Sequence, residues 1–480
     1  MYRIFVISYS CTVFFAGNTG ELTDSCIDNA GTRFTLMFPQ TADASNPIEL
    51  FVTSTSLFVT FIELFTPSAI DLGVSSYVIA PQGHLVISLP AELRSSGSGF
   101  NNRGLVLSAS QRVTLHMINL NPRSCGGFMA IPDNRLGYDY VAVGYESGAI
   151  QQLGIVARTE TVQLAIVPPP NVTLMFNGAI FSGSNGDVIS DVTLERFTVL
   201  QLQGLLGQDL TGVRVVATDR IAVFSGSVLT MIDFESQDHI VEQLLPRGGF
   251  GRIFNAVPIP LRTEGVRDTL RIVSMEFNNT VFIGPDDVNP NNRLELRNVG
   301  SRAEVVISRE LQVRALREVA VVQFSASRIL NDRGEPTMFL VPPIERFKNV
   351  FHFTIPTSNT DNFTAYVIIT VRSADQESLL LDNSPLNSFV TPWQQIPSPA
   401  NDYLGGSISV TSGRHVLSST NRNVTFSAIV YIFDQPECAV AFPAGMCLDY
   451  DLEVRLLPVW RSVFAFAVYV RITGLSILHF

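Results

Sequence analysis

The sequence predicts an all-β fold built from tandem antiparallel β-sandwich-like repeats, with a β-propeller as the alternative. Three observations predict it. Apolar and polar residues alternate with period two, as in Thr32-Arg33-Phe34-Thr35-Leu36-Met37-Phe38 and Asn423-Val424-Thr425-Phe426-Ser427. Short runs rich in Val, Ile, Thr and Phe are separated by Gly, Pro, Asn and Asp clusters, and helical spacing is almost absent. A degenerate kernel then recurs at a spacing of about 100 residues, one sandwich's worth.

The composition fits a chain with ample core material. Hydrophobic residues make up 46% and charged residues 16% of 480, against about 25% charged in ordinary soluble domains. Disorder as the main state is excluded. The net charge of −11 leaves no basic footprint for nucleic acid. Of the 32 basic residues only Lys348 is a lysine, so a single Schiff-base or general-base candidate exists, in the context Arg346-Phe347-Lys348.

Taken in order, Met1-Tyr2-Arg3 precedes an apolar stretch from Ile4 to Gly17, which predicts a signal peptide over 1–17. Four β units follow, at 30–150, 151–262, 263–358 and 359–450. Each carries the kernel: a strand, a polar turn, a second apolar strand and a Pro-bearing segment. The first runs from Gly104 to Ser108, turns at Gln111-Arg112, continues from Val113 to Ile118 and reaches Ile131-Pro132. The second comprises Gly212 to Ala217, Asp219-Arg220, Ile221 to Ser225 and Leu245-Pro246. The third comprises Leu311 to Ala315, Arg317-Glu318, Val319 to Ser325 and Val341-Pro342-Pro343. The fourth has Ile408 to Val410, Val424 to Tyr431 and Phe442-Pro443. Within the second kernel, Val213, Val215, Ile221 and Val223 are expected in the core, with Arg214 on the opposite face. An apolar tail, 451–480, closes the chain. Its uninterrupted core from Ser462 to Val470 is bracketed by Arg461 and Arg471 and too short for a membrane span.

Removal of the signal takes Cys11 with it and leaves Cys26, Cys125, Cys438 and Cys447, an even count that suits an oxidising compartment. Cys438 and Cys447 flank a short loop with Pro443 and Gly445, so they are expected to pair, which leaves Cys26 for Cys125. Four free buried thiols are the alternative. The sequons at Asn171, Asn278, Asn362 and Asn423 are compatible with secretion.

Chemistry-bearing motifs are scarce. His84, His116, His239, His352, His415 and His479 show no metal-ligand spacing, and no phosphate loop, nucleophile elbow or HExxH occurs. No metal or other cofactor is expected. Asp287-Val288-Asn289-Pro290-Asn291 begins like a calcium loop but has Asn298 where a bidentate Glu belongs, and reads as a hairpin turn. Gly248-Gly249-Phe250-Gly251 reads as a tight turn, and Arg333-Gly334-Glu335 is not an integrin motif. The most unusual stretch is Asp238-His239-Ile240-Val241-Glu242-Gln243-Leu244-Leu245-Pro246, which sets acids and a histidine among apolar residues. A carboxylate near the imidazole would orient it or raise its pKa. The structural reading is a polar network. Asp238 or Glu242 would be held by arginines, with Arg220 and Arg247 at hand, or by backbone amides, locking one repeat to the next.

The run Gly212 to Gly226 with Asp238 to Pro246 resembles the N-terminal domain of IgG Fc-binding proteins. In this resemblance Asp238, His239, Glu242, Gln243 and Pro246 are motif positions. Ala130-Ile131-Pro132 with Leu136-Gly137-Tyr138-Asp139-Tyr140, then Trp393-Gln394-Gln395-Ile396, Gly413-Arg414-His415-Val416, Tyr431-Ile432-Phe433 and Phe442-Pro443-Ala444-Gly445-Met446 are similar to its other landmarks, over 30–450. Ile432 departs from the family's glycine. The resemblance implies no catalytic residue and a secreted, non-enzymatic binding or structural glycoprotein of mucus, matrix or cell surface. Its ligand would be an extracellular protein or glycan; the IgG binding in the family's name maps onto no residue. The alternatives are a secreted hydrolase using His239 or His415, and a membrane-tethered adhesion protein.

Overall fold

The computed structural model describes residues 26–450 except 44, 46, 121–124, 147, 234–235, 329–333, 358–362, 387–388 and 435–437. The expected signal at 1–17, Cys11, Asn362 and the tail at 451–480 lie outside the described residues. Among the described residues, strands and short 3-10 turns account for all regular structure, and every sheet is antiparallel.

One strand organises each unit. In the first it is Leu105–Asn119. Its first half is flanked by Gly31–Leu36 and Thr60–Phe65, its second half by Ile48–Ser54 and Gly126–Met129. A single long strand therefore runs through one sheet, seven-stranded here, and folds its two halves over a shared core. Arg214–Met231 and Leu311–Ser325 do the same in the next two units. In the fourth, the long strand is interrupted and its halves are Gly413–Ser419 and Ser427–Asp434.

This corrects two expectations. Gln111-Arg112, Asp219-Arg220 and Arg317-Glu318 are not turns; they lie inside the continuous strands, at a register shift against the unit's first strand. A bulge places extra polar residues in one strand and bends it without ending it, so in sequence it imitates a turn. In the fourth unit, the equivalent first half is Gly413–Ser419, and Ile408 to Val410 belongs to a neighbouring strand. The divisions expected at 150, 262 and 358 also fall after the first strand of each unit. Gly137–Val141, Gly251–Ala256 and Phe351–Ile355 precede those points but pair with strands that follow them.

The units do not stand apart. The strand after each long strand is Gly126–Met129, Gln237–Gln243, Thr337–Leu340 and Cys438–Pro443 in turn. Gln237–Gln243 packs between Gly126–Met129 and Thr337–Leu340, and Cys438–Pro443 packs against those same two. The four strands close a ring. Both faces of the long strands are consequently buried: Val213, Val215, Ile221 and Val223 line the second unit's own core as expected, while Ala222 and Phe224 join a core shared with its neighbours. Arg214 points away from Val213 and Val215 to Asp139. The propeller alternative would cut each unit into two four-stranded blades, whereas each of the first three units is one sheet of seven or eight strands built through its long strand.

Two glycines permit the close approach. A Cβ on Gly126 would stand 2.9 Å from the His239 ring, and one on Gly127 would stand 2.7 Å from both Met117 O and Val440.

The chain itself spans three of the ring's four seams. The fourth, between the last unit and the first, has no peptide continuity. Both disulfides cross it: Cys26–Cys447 and Cys125–Cys438, with Cα separations of 5.8 and 5.4 Å. The expected pairs Cys438–Cys447 and Cys26–Cys125 are not formed. Proximity in sequence favoured the short clip, but Cys438 opens a strand that faces the first unit, while Cys447 lies beyond it beside Asp28.

Candidate functional site

The Gln237–Gln243 strand lies at the junction of the units, and Asp238 to Gln243 are all buried. Its polar side chains reach outward to neighbours. Asp238 Oδ1 accepts from Cys125 N at 2.8 Å and from His239 N at 2.7 Å. Glu242 accepts from Leu340 N at 3.0 Å and from Gln243 N at 3.1 Å. Gln243 Oε1 accepts from Ile131 N at 3.0 Å. Asp238 and Gln243 thus hold the first unit and Glu242 the third. Burial pushes both acids well above the usual carboxylate range, and Glu335 beside Asp238 adds to its rise.

Backbone amides are the partners, as one of the two expected forms. The arginines serve elsewhere. Arg247 joins Arg214 on Asp139, at 2.6 and 2.7 Å, and donates to Met275 O; Arg220 donates to Asn134 O. Next to Asp139, the Tyr140 hydroxyl donates to Ile221 O at 2.7 Å and accepts from Gly137 N at 2.8 Å, pinning the bulge of the long strand.

His239 and His415 are held by hydrogen bonds within the fold. His239 Nδ1 lies 2.7 Å from Ser227 O, and burial lowers its pKa to about 4. The expected rise caused by a neighbouring carboxylate is overturned by desolvation. His415 faces Asp382 Oδ2 and Thr411 O, each at 2.8 Å, so both ring nitrogens meet acceptors. Both ring nitrogens of His415 and Nδ1 of His239 thus meet oxygens of the protein itself.

The stretch that resembled a calcium loop is a hairpin connection: Asp287 is held by Arg314, and Asn289 caps the turn at Pro290–Asn292. Among the described residues, no group of acids, histidines and cysteines has metal-binding geometry. Asn171, Asn278 and Asn423 are exposed.

Sequence reasoning missed two buried clusters, one around Arg271 and one around Lys348, the latter singled out only as a Schiff-base or general-base candidate with no partner residue foreseen. Arg271 is bound by Asp209, Glu304, Thr211 and Gly144 O and stacks over Tyr145 and Phe324. It floors a surface cleft of about 620 Å³ lined also by Glu146, Gly148, Arg302 and Ala303. The second cluster contains Lys348, which is buried against Asp28. Its rarity was the available signal.

Comparison with known proteins follows this geometry. A family model described as IgGFc binding protein matches residues 126–431. No curated protein matches the chain. Among solved structures, an anti-sigma factor domain-containing protein is 12% identical, over 66% of this chain and 91% of that one, at a TM-score of 0.11. Another, from Clostridium clariflavum, is 10% identical over 81% and 98%, at a TM-score of 0.10. Superposition that poor carries no argument. The family match spans more than half of the chain, from the first ring-closing strand into the last long strand, and the chain belongs to the IgGFc binding protein family.

Proposed function

We propose that this chain is a secreted, non-enzymatic binding glycoprotein of an extracellular surface such as mucus or matrix. Family membership supports binding as the activity. The observation that carries the extracellular setting is the seam locked by two disulfides, because such bonds persist in oxidising compartments. The exposed Asn171, Asn278 and Asn423 sequons suit the same setting. An extracellular protein or glycan is the ligand class, and no bound nucleic acid or cofactor enters the reading.

The test is expression through a secretory pathway, followed by crosslinked capture from extracellular fluid on the immobilised oxidised chain. The reading expects export, a mass drop on enzymatic deglycosylation and a reproducible extracellular glycoprotein or glycan partner. Retention in cells with free thiols, or turnover in a hydrolase screen lost on His239→Gln or His415→Gln, would contradict it.

A further inference from the structure

The chain has a single lysine among 32 basic residues, and it is almost fully buried: Lys348 is 1% exposed. Its Nζ makes an ion pair with Asp28 Oδ2, and Asp28 is equally buried. An ion pair alone gives no reason for lysine, since arginine forms buried pairs better and supplies every other cation here. What lysine offers is an amine that becomes nucleophilic once desolvated.

The surroundings suit such an amine. Asp28 Oδ1 accepts from Ala30 N at 3.1 Å and from Arg112 Nη2, so one carboxyl oxygen is held by two donors while the other faces the amine. Lys348 lies 5.4 Å from the centre of the Phe351 ring. The backbones on both sides are fixed: Lys348 pairs with Phe426, and Asp28 with Cys447.

We propose that Lys348 and Asp28 join in an intramolecular isopeptide bond. A proton passes from the ammonium to Oδ2. The free amine then attacks Asp28 Cγ, and the oxyanion formed on Oδ1 is stabilised by Ala30 N–H and Arg112. Oδ2 takes a second proton from the attacking nitrogen and leaves as water while the C–N bond remains. Carboxylate and ammonium become amide and water, with no oxidant or external proton needed. The bond joins the segment ahead of the first unit to the segment entering the fourth, the same seam that both disulfides cross.

The test is peptide mapping and amine labelling of the secreted, reduced and deglycosylated chain. The proposal expects a branched peptide joining the sequences around Asp28 and Lys348, lighter by one water than its two parts. It also expects Lys348 to stay unlabelled by an acylating reagent in denaturant. Lys348→Arg, which keeps the charge, should give the two linear peptides at full mass. Linear peptides and a labelled Lys348 in the wild type would overturn the proposal. So would loss of water with Lys348 still labelled, which places the dehydration in an Asp28-Asn29 succinimide.

Discussion

Val223, Glu242 and His239 show how differently single buried positions respond. Val223 lines an apolar core, so Val223→Asp strands an unpaired charge and is expected to cost several kcal/mol in a denaturant titration. Glu242 carries two backbone amides, and Glu242→Ala should cost about 1 to 3 kcal/mol while leaving ligand binding by the folded fraction intact. Full stability with lost binding would move that residue from scaffold to site. His239 and His116 have pKa values lowered by burial to about 4, from 6.5. The unfolded chain binds more protons than the folded one between those values, so stability is full above pH 6.5 and falls as pH drops towards 4. Each contributes a loss of about 3 kcal/mol by that point. Melting temperature against pH checks this, and His239→Gln should flatten the slope. Asp268 acts in the opposite sense: burial raises its pKa to about 6, so its share of stability declines as pH rises from 4 through 6.

The long strands explain what could be read before the structure and what could not. Alternation placed Val213, Val215, Ile221 and Val223 inside, with Arg214 opposite, because side-chain period is local information. The polar pairs at Gln111, Asp219 and Arg317 looked like turns because a bulge and a turn share their composition. Only the flanking strand, about 60 to 85 residues upstream and out of reach of a local sequence window, distinguishes them. The partners of Asp238 and Glu242 were legible as a requirement for hydrogen bonds, yet the choice of amides over arginines depended on ring packing. At this scale, Gly127→Ala should destabilise by about 1 to 3 kcal/mol, since its Cβ meets Met117 O and Val440. Tyr140→Phe should lower stability by a similar amount by unpinning a bulge. Unchanged melting of both variants would remove support for the close approach and the pinned bend.

At the scale of the whole molecule, the ring converts four units with shared cores into one closed body, and the one seam without peptide continuity is crossed by both disulfides. The loops closed there are long, with sequence separations of 421 and 313. The loop-closure model assigns about 6 kcal/mol to each bond alone, and less to the second once the first exists. Removing Cys26 and Cys447 together, or Cys125 and Cys438 together, should therefore lower stability far more than removing a short surface clip. The pairing was not legible because Cys438 and Cys447 are sequence neighbours, and only cyclic closure brings each to a partner hundreds of residues away. Non-reducing peptide mapping of the secreted chain tests this closure most directly. The account predicts linked peptides Cys26–Cys447 and Cys125–Cys438; recovery of Cys438–Cys447 with Cys26–Cys125 would contradict the closed ring.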